Sequence, residues 1–238
     1  MEKSKRSLSQ SGMLWTSAAV GALLVVLAAL RWRQNGPGAL VWLAAFAAMF
    51  VIRVPYGIRN RGNVIVEAHK DGSEVFLFIA MFGSMMLLPL IHLATGCFAF
   101  ADYALPDGAV VLGTAMQVPF LALFWLSHAH LGRNWSPGLE MRQEHGLVTH
   151  GVYGRIRHPM YAALWISALA QPLLIHNWIA GFLVVPACAA LWIIRVPREE
   201  AMLRRRFLDA YDAYCRKAGR LFPRFGASPA QGGADRNP

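Results

Sequence analysis

The sequence predicts an all-α polytopic membrane helical bundle. About six membrane segments are expected, the last two forming a C-terminal helical hairpin that is followed by a cytoplasmic amphipathic tail helix. Three observations carry this. Of 238 residues, 56% are hydrophobic and only 15% charged, against about 25% charged in a typical soluble chain. The apolar residues gather into runs that approach or reach the ~20 residues needed to cross a bilayer. The basic residues flank those runs instead of interrupting them, as lysines and arginines do at membrane faces.

The first run, residues 13–30, follows Lys3, Lys5 and Arg6. It is too long for a signal-peptide core and lacks a small-residue exit before Arg31, so a retained helix is expected. Gly36-Pro37 marks a turn. A short second span, 38–52, ends at Arg53, and Pro55 and Gly57 are expected to break the helix before a polar loop to Glu74. The third span is 75–100. Asp102 and Asp107 mark the next turn, and the fourth span is 109–131 with Pro119 inside. A polar, glycine-rich stretch then leads to His158. The hairpin arms are 160–175 and 178–194, joined by His176-Asn177. Beyond Pro197 the chain is expected to turn helical again, because Leu203, Phe207, Tyr211 and Tyr214 recur at helical spacing. Residues 226–238, rich in Gly, Pro and Ala, are expected to be disordered.

The net charge of +10 would suggest nucleic acid in a soluble chain. Here the cations flank apolar runs, and membrane topology explains them without a nucleic-acid partner. With the N-terminus cytoplasmic, all 23 Lys and Arg except Arg31 and Arg33 fall inside. Both termini are therefore expected in the cytoplasm, at the cytoplasmic membrane if the cell is bacterial. The three cysteines form no paired motif and read as free thiols.

The ionisable groups that matter cluster at the ends of the hairpin. Arg157-His158-Pro159-x-Tyr161 opens its first arm. Proline suits the first helical position, so His158 falls at a helix start, where free N–H groups favour anions. Arg157 adds a planar donor fork. An ordinary interfacial helix start, with arginine at lipid phosphates and tyrosine in the aromatic belt, is the plain alternative. Arg195 and Glu199-Glu200 stand where the second arm leaves the membrane. Acids in a helix's first turn suit its dipole, yet folding the hairpin returns these two to His158. An ionisable cluster at a membrane face is a functional-site candidate by default. No HExxH pattern marks a metal site, and no Walker loop, GxGxxG turn or GxSxG elbow is present.

Residues 147–153, then Arg157-His158-Pro159-x-Tyr161, Arg195-x-x-x-Glu199-Glu200, Tyr211-x-x-Tyr214 and Arg220-x-x-Pro223, follow one order and spacing. This pattern resembles the isoprenylcysteine carboxyl methyltransferase family, which is similar to phospholipid N-methyltransferases. The resemblance covers residues 131–223. It implies an N-terminal membrane part, 1–131, and a cofactor-binding part, 132–225. It further implies a membrane enzyme that uses S-adenosylmethionine from the cytoplasm and a lipophilic acceptor from the membrane. By that likeness Leu147, Gly151, Tyr153, Arg157, His158, Pro159 and Tyr161 line the cofactor site, with Glu199 and Glu200 near its amino or sulfonium end. Arg195, Glu199 and His158 form the catalytic set, and Asn134-Trp135 stands at the substrate entrance. One departure is that 123–127, Leu-Phe-Trp-Leu-Ser, lacks the arginine that the eukaryotic prenylcysteine enzymes carry there.

The acceptor is expected to be an isoprenylcysteine-type carboxylate. A phospholipid amine or a small thiol is the alternative within the same chemistry. Outside it stand an NADPH-dependent sterol-type reductase and a non-enzymatic lipid-binding protein whose basic tail reads anionic lipid.

Overall fold

The computed structural model describes residues 19–60, 65–68, 71–132, 140–142 and 146–224. Its helices are α1 (Ala19–Leu30), α2 (Pro37–Arg59), α3 (Gly72–Thr95), α4 (Gly108–Leu131), α5 (Pro159–Leu174) and α6 (Val184–Lys217). Helices α2, α3, α4 and the one that contains α6 are long and apolar enough to cross a membrane. Helix α5, at 16 residues, rises about 24 Å, short of a ~30 Å hydrocarbon core. Apolar side chains cover the outside of the bundle; Phe76, Ile79, Val118 and Ile193 are all exposed. A soluble protein does not expose such a continuous apolar belt, and here it faces lipid.

Two expected breaks are absent. Helix α2 runs through Pro55 to Arg59, and α6 runs through Pro197. A proline removes the hydrogen bond to the carbonyl four residues back and crowds it. Those positions, Val51 and Ile193, are 73% and 68% exposed, so each ring lies on an outer face where nothing opposes it. The tail helix is thus a continuation of the hairpin arm, and Glu199-Glu200 lie in mid-helix, beyond the reach of a first-turn dipole. The chain turns instead at Leu208, which adopts a positive φ of 46°. Past that turn, Tyr211 and Tyr214 bury themselves with Ala218 against Leu147, Leu203 and Phe207, so the predicted stripe caps the bundle.

Small residues let the helices close up. A side chain at Gly38 would strike the backbone of Leu174, and one at Gly113 would meet the Leu174 side chain at 3.0 Å. Buried Gln171 ties three helical segments together. It accepts from Trp42 Nε1 (3.3 Å) and donates to the carbonyls of Ser84 (2.8 Å) and Ala180 (2.9 Å). Ser84 and Ala180 both lie in π-helical turns, Gly83–Leu87 and Trp178–Phe182, where displaced carbonyls point sideways. His128 is buried, with Nδ1 2.8 Å from the Phe124 carbonyl. Two short antiparallel strands, β1 (Ile65–Ala68) and β2 (Glu140–Arg142), join the two polar loops that were expected to be irregular.

Candidate active site

The hairpin does return the acids to His158. The loop before α5 takes one 3-10 turn, Gly151–Gly154, and reaches His158 at the N-cap of α5, with Pro159 in the first turn. Backbone bonds then lace this loop to the end of the described chain. Arg157 N–H donates to Gly219 O (2.7 Å), His158 N–H to Arg220 O (3.1 Å), and Gly219 N–H to Arg155 O (3.0 Å). This lacing brings Arg220 under α6.

Glu200 becomes the hub of a closed cluster. His158 Nε2 lies 3.0 Å from its Oε1, Arg157 Nη2 lies 3.4 Å away, and Arg220 donates to both carboxylate oxygens. The same contacts hold the Arg220 guanidinium above its usual pKa, chiefly through its hydrogen bond to Glu200. Arg157 also donates Nη1 to the carbonyls of Cys215 and Ala218. The Trp192 ring stands edge-on to His158 and under the Arg220 guanidinium.

Glu199 behaves differently. Its side chain is 29% exposed, against 9% for Glu200. It accepts from Tyr161 Oη at 2.8 Å and faces a cavity of 360 Å³. Leu147, Tyr153, Arg157, His158, Pro159, Tyr161 and Arg195 line that cavity too. Glu200 and Gly151 are not among the lining residues. Gly151, with φ +60°, instead lets the His130 ring pack against its backbone, and the next amide, Val152 N, lies 3.3 Å from His130 Nδ1. The structure thus separates the paired acids: Glu200 locks the frame, and Glu199 points into the space. Tyr153 is buried, which pushes its phenol pKa up, with Glu199 and Tyr214 adding to the effect. It therefore stays a neutral hydrogen-bonding group. Asn134 and Trp135 lie outside the described residues.

The opposite wall comes from helices that carry no motif. Met49, Phe50 and Arg53 of α2 face the cavity, as do Phe78, Met81 and Met85 of α3. Glu74, in the first turn of α3, sits 3.8 Å from Arg195 Nε and 3.8 Å from Arg198. Sequence reasoning missed Arg53 and Glu74. The usable signal was an ionisable residue at the edge of an apolar run.

Residues 110–205 match the model of the isoprenylcysteine carboxyl methyltransferase family. Over that stretch, less than half of its length, the chain is similar to this family. That match includes His158, Tyr161, Arg195, Glu199 and Glu200, and leaves α2 and α3 outside it. The chain is 35% identical over 75 residues to protein-S-isoprenylcysteine O-methyltransferase of Schizosaccharomyces pombe, 32% of each chain. It is 33% identical over 111 residues to a probable protein-S-isoprenylcysteine O-methyltransferase of Oryza sativa subsp. indica, 45% of this chain and 54% of that one. To protein-S-isoprenylcysteine O-methyltransferase A of Arabidopsis thaliana it is 31% identical over 85 residues, 35% and 43%. The likeness therefore spans roughly a third to half of these methyltransferases.

Proposed function

We propose that this protein is an integral membrane methyltransferase that takes its methyl group from S-adenosylmethionine. Its acceptor is lipophilic, and an isoprenylcysteine-type carboxylate, methylated on oxygen, fits best. The observation that carries the reading is the two-sided cavity, with Glu199, Tyr161 and Arg195 on one wall and methionine and phenylalanine side chains on the other.

The lining chemistry fits the cofactor. Glu199 offers a partly exposed carboxylate to an ammonium or sulfonium group, and Tyr153 and Tyr161 offer aromatic surface. When bound, the cofactor supplies an electrophilic methyl group. The protein's part is alignment and charge placement, since effective alignment alone is worth about 7–11 kcal/mol. A carboxylate acceptor is already ionised at neutral pH and needs no base. Arg195 would hold that carboxylate, with Glu74 fixing the guanidinium's position. Both ring nitrogens of His158 face carboxylates, Nε2 at Glu200 and Nδ1 4.0 Å from Glu199. The imidazole would therefore hold the two acids in register. The positive-inside pattern supports a cytoplasmic position for this end of the bundle and for both termini, and the cofactor would enter there.

Calorimetry on detergent-solubilised, folded protein tests the first half: S-adenosylhomocysteine should bind with micromolar affinity. Binding of NADPH without S-adenosylhomocysteine would move the protein to the reductases. The second half is tested by following labelled methyl transfer to prenylated thiols with a free carboxylate, phosphatidylethanolamine and small thiols. Label should appear on the first, as a base-labile ester.

A further inference from the structure

One arginine of the closed cluster acts on the cavity without reaching it. Arg220 is not among the lining residues, and neither is Glu200, whereas His158 is. Arg220 grips Glu200 side-on, with Nε donating to Oε1 at 3.0 Å and Nη2 to Oε2. This is the paired geometry in which a planar guanidinium holds a carboxylate most firmly. The guanidinium also lies over the Trp192 ring, 5.9 Å from its centroid, and Trp192 stands edge-on to His158. The arginine is thus held from two sides. A carboxylate paired in this way is ionised and only accepts hydrogen bonds. The contact of His158 Nε2 with Glu200 Oε1, at 3.0 Å, therefore requires a proton on Nε2. In the neutral ring this leaves a lone pair on Nδ1. Nδ1 lies 4.0 Å from Glu199 Oε1, too far for a hydrogen bond. His158 and Glu199, both on the cavity wall, then offer two neighbouring acceptors.

We propose that Arg220 is a positioning residue: through Glu200 it fixes which nitrogen of His158 carries the proton, and so keeps an acceptor beside Glu199 for an N–H donor of the cofactor. Taking that cofactor as S-adenosylmethionine rests on the methyltransferase reading; the tautomer does not. The stretch that matches the family ends at residue 205, so the match gives Arg220 no role. Arg157 does not replace it. Its Nη2 lies 3.4 Å from Glu200 Oε1, and its Nη1 is committed to the carbonyls of Cys215 and Ala218. Without Arg220, nothing described holds Oε2 of Glu200, and the carboxylate can turn away from Nε2.

The Arg220 side chain is 47% exposed, so a small solute can reach the place it leaves, and the test uses this. S-adenosylhomocysteine affinity is measured on full-length protein in detergent. Arg220→Ala should weaken it about tenfold. Ethylguanidinium, which replaces the missing atoms, should restore most of the loss, and neutral ethylurea none. Arg220→Lys keeps the charge without the fork and should fall in between. Arg224→Ala is the control, because Arg224 ties the same segment to the carbonyls of Cys215 and Arg216 without touching Glu200; its affinity should equal wild type. Three results overturn the proposal: wild-type affinity in Arg220→Ala, ethylguanidinium no better than ethylurea, or an equal loss in Arg224→Ala. A second readout needs no ligand and serves if Arg220→Ala does not fold. In protein labelled with 15N-histidine, the His158 signals, assigned by their loss in His158→Asn, should show a protonated Nε2 and a bare Nδ1. Arg220→Lys should shift them toward a mixture of tautomers. A proton on Nδ1 in wild type, or signals unmoved in Arg220→Lys, overturns the proposal. A wild type that binds no S-adenosylhomocysteine but shows the Arg220-dependent signals keeps this proposal and removes methyl transfer.

Discussion

The two ends of the bundle both bury polar side chains, and they use them in opposite ways. At the end carrying the hairpin turn, polar groups are tied mainly to backbone. Asn177 donates to Phe98 O (2.7 Å) and Asp102 (2.6 Å), and its Oδ1 accepts from the amides of Ile179 and Ala180. Asn35 donates to Leu93 O, Arg31 to Ala94 O, and Tyr103 Oη to Pro172 O. These bonds satisfy the orphaned groups at helix ends. At the other end, side chains meet side chains around a cavity: Glu199 with Tyr161, Glu200 with His158, Arg157 and Arg220, and Arg195 near Glu74. A network closed on backbone can only hold. One that is closed on side chains and open to a space can also bind.

If that contrast is right, the largest effect comes from the one group that both holds and frames. Glu200→Ala leaves Arg157 facing an emptied, largely buried position, and the loss of one partner from a buried pair costs about 3–5 kcal/mol. The thermal unfolding midpoint and S-adenosylhomocysteine binding should both fall. Asn177→Ala should cost about 2–3 kcal/mol, because it strands buried partners, and cofactor affinity per folded molecule should stay put. A drop in that affinity would erase the distinction between the ends. Glu199→Gln should do the reverse: S-adenosylhomocysteine affinity falls about tenfold, or 1.4 kcal/mol, with the midpoint nearly unchanged.

The smallest effect sharpens the comparison through pH. Asp71 caps α3, accepting from Ser73 Oγ and from Glu74 N–H, and lies 3.3 Å from Arg198. Those contacts, the Ser73 bond foremost, hold its carboxyl below the usual value. Its contribution is therefore fully present above the unfolded-chain pKa of about 3.9 and is lost as pH falls through the folded value. Asp71→Asn keeps a good cap, so it should lower the midpoint slightly at pH 7 and less at pH 3.

The legible part of the site was the part written in one stretch of chain. Two apolar arms joined by His176-Asn177 must fold back, and that alone brings His158 to Glu200. The split between Glu199 and Glu200 was not legible, because it depends on which side of a continuous helix faces α5. Continuity past Pro197 is decided by where the ring points, and no sequence pattern states this. Arg53 and Glu74 were missed for a related reason. They reach the cavity only through packing of α2 and α3 onto the hairpin, and on α2 Gly38 sets the spacing. Asn134-Trp135 remain an expectation from resemblance.

The lacing of residues 155–158 to 219–220 has a consequence for biogenesis. Glu200 is clasped by Arg220, and Arg157 by the carbonyls of Cys215 and Ala218. The set of partners is complete only once the ribosome has passed residue 220. Helices α2, α3 and α4 all precede these partners in the chain, so the chain enters the bilayer as an incomplete vessel. The frame of its pocket is completed from the aqueous side, by residues made after those helices.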